Sequence, residues 1–579
     1  MITRLFAAAL AAITLSACAT IPETPAAPEP VTLRIIGLND FHGNIEPIRR
    51  PIRVMDDAGE LQEVPAAGAA YLASAVAKYR AQDEHSLVVA AGDLIGASPL
   101  ASSIFLDEPA IGAMNRIGLG FNAVGNHEFD RGWRELLRLQ EGGCAKYSLR
   151  DPCQVESEFP GAEFGFLAAN VITEDGSTLF PPYGIKRFGT GDAEIAVGII
   201  GLTTVETPSL VTPSGVDGLT FADEADTINA LVPELVEQGV DVIVVSIHQG
   251  LYTKVGYNDK SCGGVSGALL QILGRVDPRV DLVISGHTHN AYVCDYSAID
   301  PSRKFLVTSA GYGGSMLTDI AVTVNTAAGE VIAIEADNIV VQSEVRGPDG
   351  ALAPANPAFE VFPANAEVAA YVGRYVEASR EAADRKVGVI SGSARKPGPA
   401  TEETRLGNLI ADAQLAATRS AGAQIALMNN SGIRAALDPV DGTTVSYGDI
   451  YSIQPFGNLL ITRSYTGAQL LALLEQQFDG ESFLQAFSPS EGFAMTYDLR
   501  QPPGDRIVSA TLGGKPIDPA ATYRVTMNSF LAAGGDSFTV FTEGSDSVTG
   551  PVDLDAMEEY LRAVPVRELP DTGRITEIK

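Results

Sequence analysis

The chain has 579 residues, 45% of them apolar, and carries 72 acidic against 40 basic side chains, a net charge of −32. That length exceeds what one hydrophobic core serves, so two large domains are expected. So much negative charge, with no basic run to interrupt it, argues against a nucleic-acid polymer as partner, while small anions stay open wherever metals supply local positive charge.

In chain order, Arg4 gives a short positive start, and residues 5–17 form an Ala-rich apolar stretch too short to span a bilayer. This pattern reads as an export signal. It ends in LSAC, which resembles the bacterial lipoprotein cleavage box. That resemblance makes residues 1–17 a lipoprotein signal peptide and Cys18 the lipidated first residue of the mature chain; a soluble secreted protein cut nearby is the alternative. Residues 18–30 are rich in Pro and Ala, with little to bury, and read as a tether. Ala19 after the cysteine resembles lipoproteins sent to the outer membrane, which implies a periplasm-facing protein touching the membrane only through its lipid.

Residues 31–345 alternate strand-like runs (VTLRIIGL, SLVVAAGD, GFNAVG, IAVGIIG, VDVIVVSIH, VDLVISGH, KFLVTSAG) with helix-like ones. The apolar runs are nearly continuous, the mark of sheets covered on both faces. Residues 318–337 read as a closing hairpin. A polar, Pro- and Gly-containing passage follows, and residues 366–385 have helical spacing, so 346–387 is expected to be a linker with a helix. A second α/β unit is expected over 388–579.

Five of the six histidines fall in four short motifs just past strand-like runs: Asp40 and His42 in LNDFHGN, His127 in VGNHEFD, His248 in VVSIHQG, and His287 with His289 in VISGHTHN. Asp93, in VVAAGDLIG, has the same setting. Aspartate and imidazole suit borderline divalent metals such as Zn²⁺ and Mn²⁺, and loops at strand ends let distant residues meet at one sheet edge. Asp40 with His42, and His287 with His289, share an i,i+2 spacing that puts both side chains on one side of an extended segment. Gly286 leaves room for a close backbone approach, and Asn126 offers an amide beside His127. Taken singly, Asp93 suits a helix cap and His248 a hydrogen-bonded core histidine. Together, nearly all the histidines at strand ends point to a two-metal hydrolase. His85, in the polar stretch AQDEHS, is the exception and reads as a surface residue.

The series NDFHGN, GD, GNHEFD, H and GHTH resembles the calcineurin-like metallophosphatases, and residues 31–579 as a whole resemble the bacterial 5′-nucleotidase and UDP-sugar hydrolase family. The resemblance implies a four-layer sandwich, two central sheets flanked by helices, with a second α/β domain that binds substrate. It implies one metal among Asp40, His42, Asp93 and His289, and another among Asp93, Asn126, His248 and His287, with Asp93 as bridge. It makes His127 and Asp130 a catalytic dyad. Two divalent ions (Zn or Mn, with Co, Mg or Ca as substitutes) would lower the pKa of a water, and the hydroxide would attack phosphorus in line with the leaving oxygen. His127, kept charged by Asp130, would stabilise phosphoryl charge; protonating the leaving alkoxide is the competing role.

In the second unit, TRLGNLIADAQLAAT has a helical apolar period with Asn408 and Asp412 four apart on one face. NNSGIR ends in Arg434, whose rigid fork can grip phosphate. Phe456 in QPFGN and Phe530 in NSFLAAGGDSF each suit a core on their own; together they resemble the family's aromatic clamp for a nucleobase. Asn429 and Asp536 match its nucleoside contacts. Asn430 and Ser431 stand where relatives have glycines, and Ala400 where relatives commonly carry an arginine toward the phosphates; Arg395, Lys396 and Arg405 are nearby. That departure leaves di- and triphosphates, UDP-sugars and cyclic phosphodiesters open beside 5′-monophosphates. In the family the C-terminal domain rotates to deliver substrate, a motion the 366–385 helix could allow.

Four further cysteines, Cys144, Cys153, Cys262 and Cys294, allow three pairings. Local pairing, 144 with 153 and 262 with 294, is expected in an oxidising compartment, and no C-x-x-C spacing offers a cysteine zinc site. The expected partner is a small nucleotide, with monomer and dimer equally open. Rivals are a nucleotide-sugar pyrophosphatase or cyclic phosphodiesterase on the same site, an exported thiosulfohydrolase, and a surface binding protein with a decayed site.

Overall fold

The structure is a computed structural model that describes residues 30–48, 51–55, 59–148, 150–191, 194–344, 352–399, 401–479 and 484–579. The export signal, Cys18, all but the last residue of the tether, Ala400 and the start of the expected linker lie outside the described residues. No helix among the described residues is long and apolar enough to cross a membrane.

Strand alternation splits each apolar run between two cores. In Val31–Leu38 and His85–Ala90, the side chains of Leu33, Ile35, Leu87 and Val89 face a second sheet. Their neighbours Ile36, Leu38, Val88 and Ala90 face helices Ala69–Arg80 and Glu108–Ile117. The first sheet runs Glu330–Val340, Met316–Asn325, Val31–Leu38, His85–Ala90, Phe121–Ala123 and Gly165–Leu167. Its last four strands are parallel, and the 316–340 hairpin closes it antiparallel. The second sheet runs Ala291–Asp295, Leu306–Ala310, Leu282–Ser285, Val242–His248, Ile195–Thr203 and Tyr183–Phe188, with a parallel centre and antiparallel edges. Val197, Ile199, Val242 and Val244 meet the first sheet, whereas Ile200, Leu202, Ile243 and Val245 meet helices Glu224–Glu237 and Leu269–Leu273. Helix, sheet, sheet, helix: this is the four-layer sandwich.

The helix Ala366–Asp384 starts on an Asn365 side chain that caps Glu367 and Val368. Its Val368, Tyr371, Val372 and Tyr375 complete the core of the first sheet's helical face, so it is an integral layer of that body. It also contacts helix Tyr447–Ile453 of the second unit. That unit holds a five-stranded sheet in the order Phe487–Pro489, Ile425–Asn429, Thr522–Asn528, Leu459–Thr466 and Ser545–Val552. Helix Arg405–Thr418, capped by the Thr404 hydroxyl, packs against it. Asn408 donates to Glu403 and to the Asp571 carbonyl, and Asp412 pairs with Arg574 at 2.7 Å, so these two polar groups tie the domain together away from the cleft.

Disulfides join Cys144 to Cys153 and Cys262 to Cys294. His85 is half-buried rather than on the surface: it opens its strand, pairs with Leu33 and lies against the Phe188 ring, because the sheet begins two residues earlier than the apolar run.

Candidate metal centre and interdomain cleft

Each candidate ligand follows the carboxyl end of a parallel strand. Asp40 and His42 come after Val31–Leu38, Asp93 after His85–Ala90, and Asn126 after Phe121–Ala123; His248 ends its strand, and His287 and His289 follow Leu282–Ser285. The two sheets therefore present their loops at one shared edge. Gly286 is needed there, since a Cβ would lie 2.7 Å from the Ala91 carbonyl and 2.9 Å from an Asp40 oxygen. Asp40, His42, Asp93, His287 and His289 all have φ between +46° and +72°, a left-handed backbone that non-glycine residues rarely adopt. Such strain, on the order of 1–3 kcal/mol per residue, persists only where the surroundings impose it.

The result is two groups of ligands, each with two buried members and one half-buried: Asp40, His42 and His289, and Asp93, His248 and His287, with ligand atoms within 4.8 Å of one another in each group. One oxygen of Asp93 faces both, 3.5 Å from His42 Nε2 and 3.1 Å from His248 Nε2. The Asn126 amide oxygen lies 3.1 Å from His248 Nε2 and 3.0 Å from His287 Nδ1. The Nδ1 atoms of His42 and His248 are each 2.8 Å from a backbone carbonyl, of Gly96 and Ala91. Their N–H groups are used there, which aims each Nε2 lone pair inward at other acceptors. His42 Nε2 meets His289 Nε2 at 3.2 Å, and His289 Nε2 meets Asp40 at 3.4 Å. Acceptors held against acceptors are the donor set of divalent cations, so these residues fit two such ions. Burial holds the imidazoles of His42 and His287 down at about 3, hence neutral, and pushes the Asp40 carboxyl up to about 7. Burial opposes charge on His248 too, but Asp93 overrides it and holds that imidazole up at about 10; a proton there stands in for a cation.

His127 and Asp130 stand beside this floor, His127 Nδ1 2.9 Å from Asp130 Oδ2. Burial works against an imidazolium at His127, yet Asp130 and Asp93 outweigh it and raise the pKa. The His127 backbone N–H donates to the second Asp93 oxygen at 2.9 Å.

Above the floor a cleft of about 1220 Å³ opens between the domains. It is lined by Asn126, His127, Asp130 and His287 from one side and by Asn429, Arg434, Phe456, Phe530 and Asp536 from the other. Phe456 stacks on His127, ring centres 5.9 Å apart and 16° from parallel. Phe530 lies over Gly535, where a Cβ would come within 2.5 Å of its ring. One oxygen of Asp536 accepts from Asn429, Ser431 and Gln485 at 2.7–2.8 Å. Of the cations near the 400 position, Arg395 pairs with Glu402, Arg405 donates to the Leu569 and Pro570 carbonyls, and Lys396 reaches the Arg434 carbonyl at 3.4 Å.

Several supporting residues escape sequence reasoning. Glu128 is buried and accepts from the backbone N–H groups of Asp93, Leu94 and Gly125, so it shapes two ligand loops at once. Its place inside GNHEFD was a usable signal. Asn39, which opens NDFHGN, donates to Asp40 at 2.7 Å, and Gln485 supports Asp536 with nothing in its local sequence to mark it.

Known proteins place the chain in a family. Residues 33–291 match the calcineurin-like phosphoesterase model and residues 386–543 the 5′-nucleotidase C-terminal domain model. The chain is 29% identical over 542 residues to the endonuclease YhcR of Bacillus subtilis, covering 92% of this chain and 40% of that one, so it spans well under half the length of that relative. It is 25% identical over 599 residues to the 5′-nucleotidase of Vibrio cholerae, covering 97% and 96% of the two chains. The crystal structure of a 5′-nucleotidase precursor from Thermus thermophilus superposes with a TM-score of 0.73 at 26% identity, over 94% of this chain and 99% of that one. With both domains matched in order and a shared fold along almost its whole length, this chain belongs to the two-domain 5′-nucleotidase family of metallophosphatases.

Proposed function

We propose that the chain hydrolyses nucleotide phosphate esters with two divalent ions, its main reaction being release of nucleoside and phosphate from a 5′-mononucleotide. The observation that carries this reading is the pair of ligand groups at the floor of a cleft whose opposite wall bears two phenylalanines and Arg434. Asp40, His42 and His289 would hold one ion and Asn126, His248 and His287 the other, with Asp93 facing both; Zn or Mn suits this donor set. Bound there, the ions would neutralise phosphoryl charge and make a water more acidic. Phosphate esters are so inert that charge stabilisation dominates the catalytic task. His127 keeps a proton on Nδ1 toward Asp130 and leaves its Nε2–H for charge gathering on phosphoryl or leaving oxygens. Phe456 and Phe530 would stack the base, Asn429 and Asp536 hold the nucleoside, and Arg434 attract the phosphate.

The two disulfides and the family suit an extracellular or periplasmic compartment. The LSAC box supports anchoring through Cys18.

The deciding measurement is phosphate release from AMP, UDP-glucose and 2′,3′-cyclic AMP after chelation and readdition of Zn²⁺, Mn²⁺, Mg²⁺ or Co²⁺. AMP should be the best substrate, and Phe456→Ala or Phe530→Ala should raise KM for AMP about tenfold or more while sparing an aryl phosphate; stacking of about 1–3 kcal/mol per base sets that scale. Preference for either other substrate would reassign the activity, and equal losses on both esters would make the phenylalanines structural.

A further inference from the structure

Within the Asp40–His42–His289 group, the two imidazoles are supported differently. His42 and His248 are each fixed by a backbone carbonyl on the nitrogen that points away from the group, whereas His287 Nδ1 meets Asn126, a member of its own group. Metal-binding histidines ordinarily have such a partner, which sets ring orientation. Among the described residues, the outer nitrogen of His289 has none; its hydrogen-bond and ion-pair contacts, with His42 and Asp40, all run through Nε2. What lies against its ring instead is Tyr312, centre to centre 4.6 Å and tilted by 37°. The same phenol ring lies 5.4 Å from His42, tilted by 39°, while His42 and His289 meet edge to face at 5.1 Å.

Tyr312 is itself held. It sits in the turn 310–314, where Gly311, Gly313 and Gly314 have positive φ. The Ala310 N–H donates to Asn39 Oδ1 at 2.6 Å, and Asn39 Nδ2 donates to the Gly311 carbonyl at 2.8 Å. The Gly313 N–H donates to the Asp40 carbonyl at 2.7 Å. The Tyr312 carbonyl accepts from the Ser315 hydroxyl at 2.6 Å and its N–H at 3.1 Å. The turn is thus bound to the loop that carries Asp40 and His42, and it places one ring against the other two members of the same group.

We propose that Tyr312 is a positioning residue for the Asp40–His42–His289 group: ring packing, in place of a hydrogen bond, sets the plane of His289 and braces His42. This rests on the two-metal reading given above. The role belongs to the ring rather than the hydroxyl, so Tyr312→Phe keeps it and Tyr312→Ala removes it.

The test is metal content and affinity under competing chelator, with Co²⁺ absorption as a spectroscopic readout of ligand geometry. Wild type and Tyr312→Phe should retain two ions per chain. Tyr312→Ala should release one ion about tenfold more readily, the scale for loss of a support behind a ligand, and keep the other unchanged. In a His289→Ala background, adding Tyr312→Ala should cost less than it does in wild type, since only the brace on His42 is left to lose. If Tyr312→Ala folds poorly, Tyr312→Leu, which keeps bulk without a ring, carries the same comparison. Two ions held as tightly by Tyr312→Ala as by wild type would overturn the proposal, as would equal weakening of both ions or a Tyr312→Phe variant as defective as Tyr312→Ala. A wild type that binds no ion would remove the two-metal reading and this inference together.

Discussion

His127 meets Asp130 through one nitrogen, Asp93 through its backbone and Phe456 through its face. Asp130 and Asp93 raise its pKa against the effect of burial, which favours the cationic ring that a group facing phosphoryl charge calls for. His127→Ala is expected to lower kcat about 10²–10³-fold, the scale for losing one donor to a charged transition state, with two ions still bound. Steady-state kinetics beside metal analysis checks this; loss of an ion in the variant would make His127 a structural part of the metal floor instead. At this scale the sequence reveals residues that contribute their own chemistry, because Asp, Asn and His after a strand are uncommon as a set. It hides those that act through backbone. Glu128 is marked only by its place in GNHEFD, and its task shows only once three N–H groups converge on it.

Strands are legible for a related reason. A run such as VDVIVVSIH can be apolar throughout only if both its faces are covered, and Val242–His248 is buried along its full length. The helix Ala366–Asp384 is legible as a helix but not as part of the first core. Tyr371 and Tyr375 look amphipathic in sequence, and only the fold supplies the helices they pack against. Helix Asp553–Arg562 carries a different burden. Its first residue, Asp553, would be favoured as an anion by the helix dipole, yet burial at the cleft lifts its carboxyl to about 8. The unfolded chain releases this proton near pH 4, the folded one near 8. Its contribution to stability is therefore complete below pH 4 and falls away as pH rises through 8. Between pH 5 and 8, the Tm of wild type should decline more steeply than that of Asp553→Asn. Parallel declines in thermal melts across that range would show that Asp553 is not protonated in the fold.

Across the whole molecule, the two sheets, the helix that seals them and the second domain combine to bring together loops drawn from five strands and a cleft wall from elsewhere in the chain. Sequence order gives no hint that His127 would touch Phe456, a pairing 329 positions apart (456 − 127) that depends on how the domains face each other. The left-handed backbone at Asp40, His42, Asp93, His287 and His289 sets activity against durability in the same five places. With cations removed, ligation no longer repays that contortion, and an inert replacement that relaxes it ought to make a sturdier protein. Stripped of ions, His289→Gly should melt above stripped wild type, by a few degrees if about 1–2 kcal/mol of torsional cost is relieved. An equal or lower melting point by calorimetry would mean that the surrounding sheets hold these loops at no cost. If the gain is seen, any descendant freed from catalytic duty would be expected to drift toward glycine at these sites.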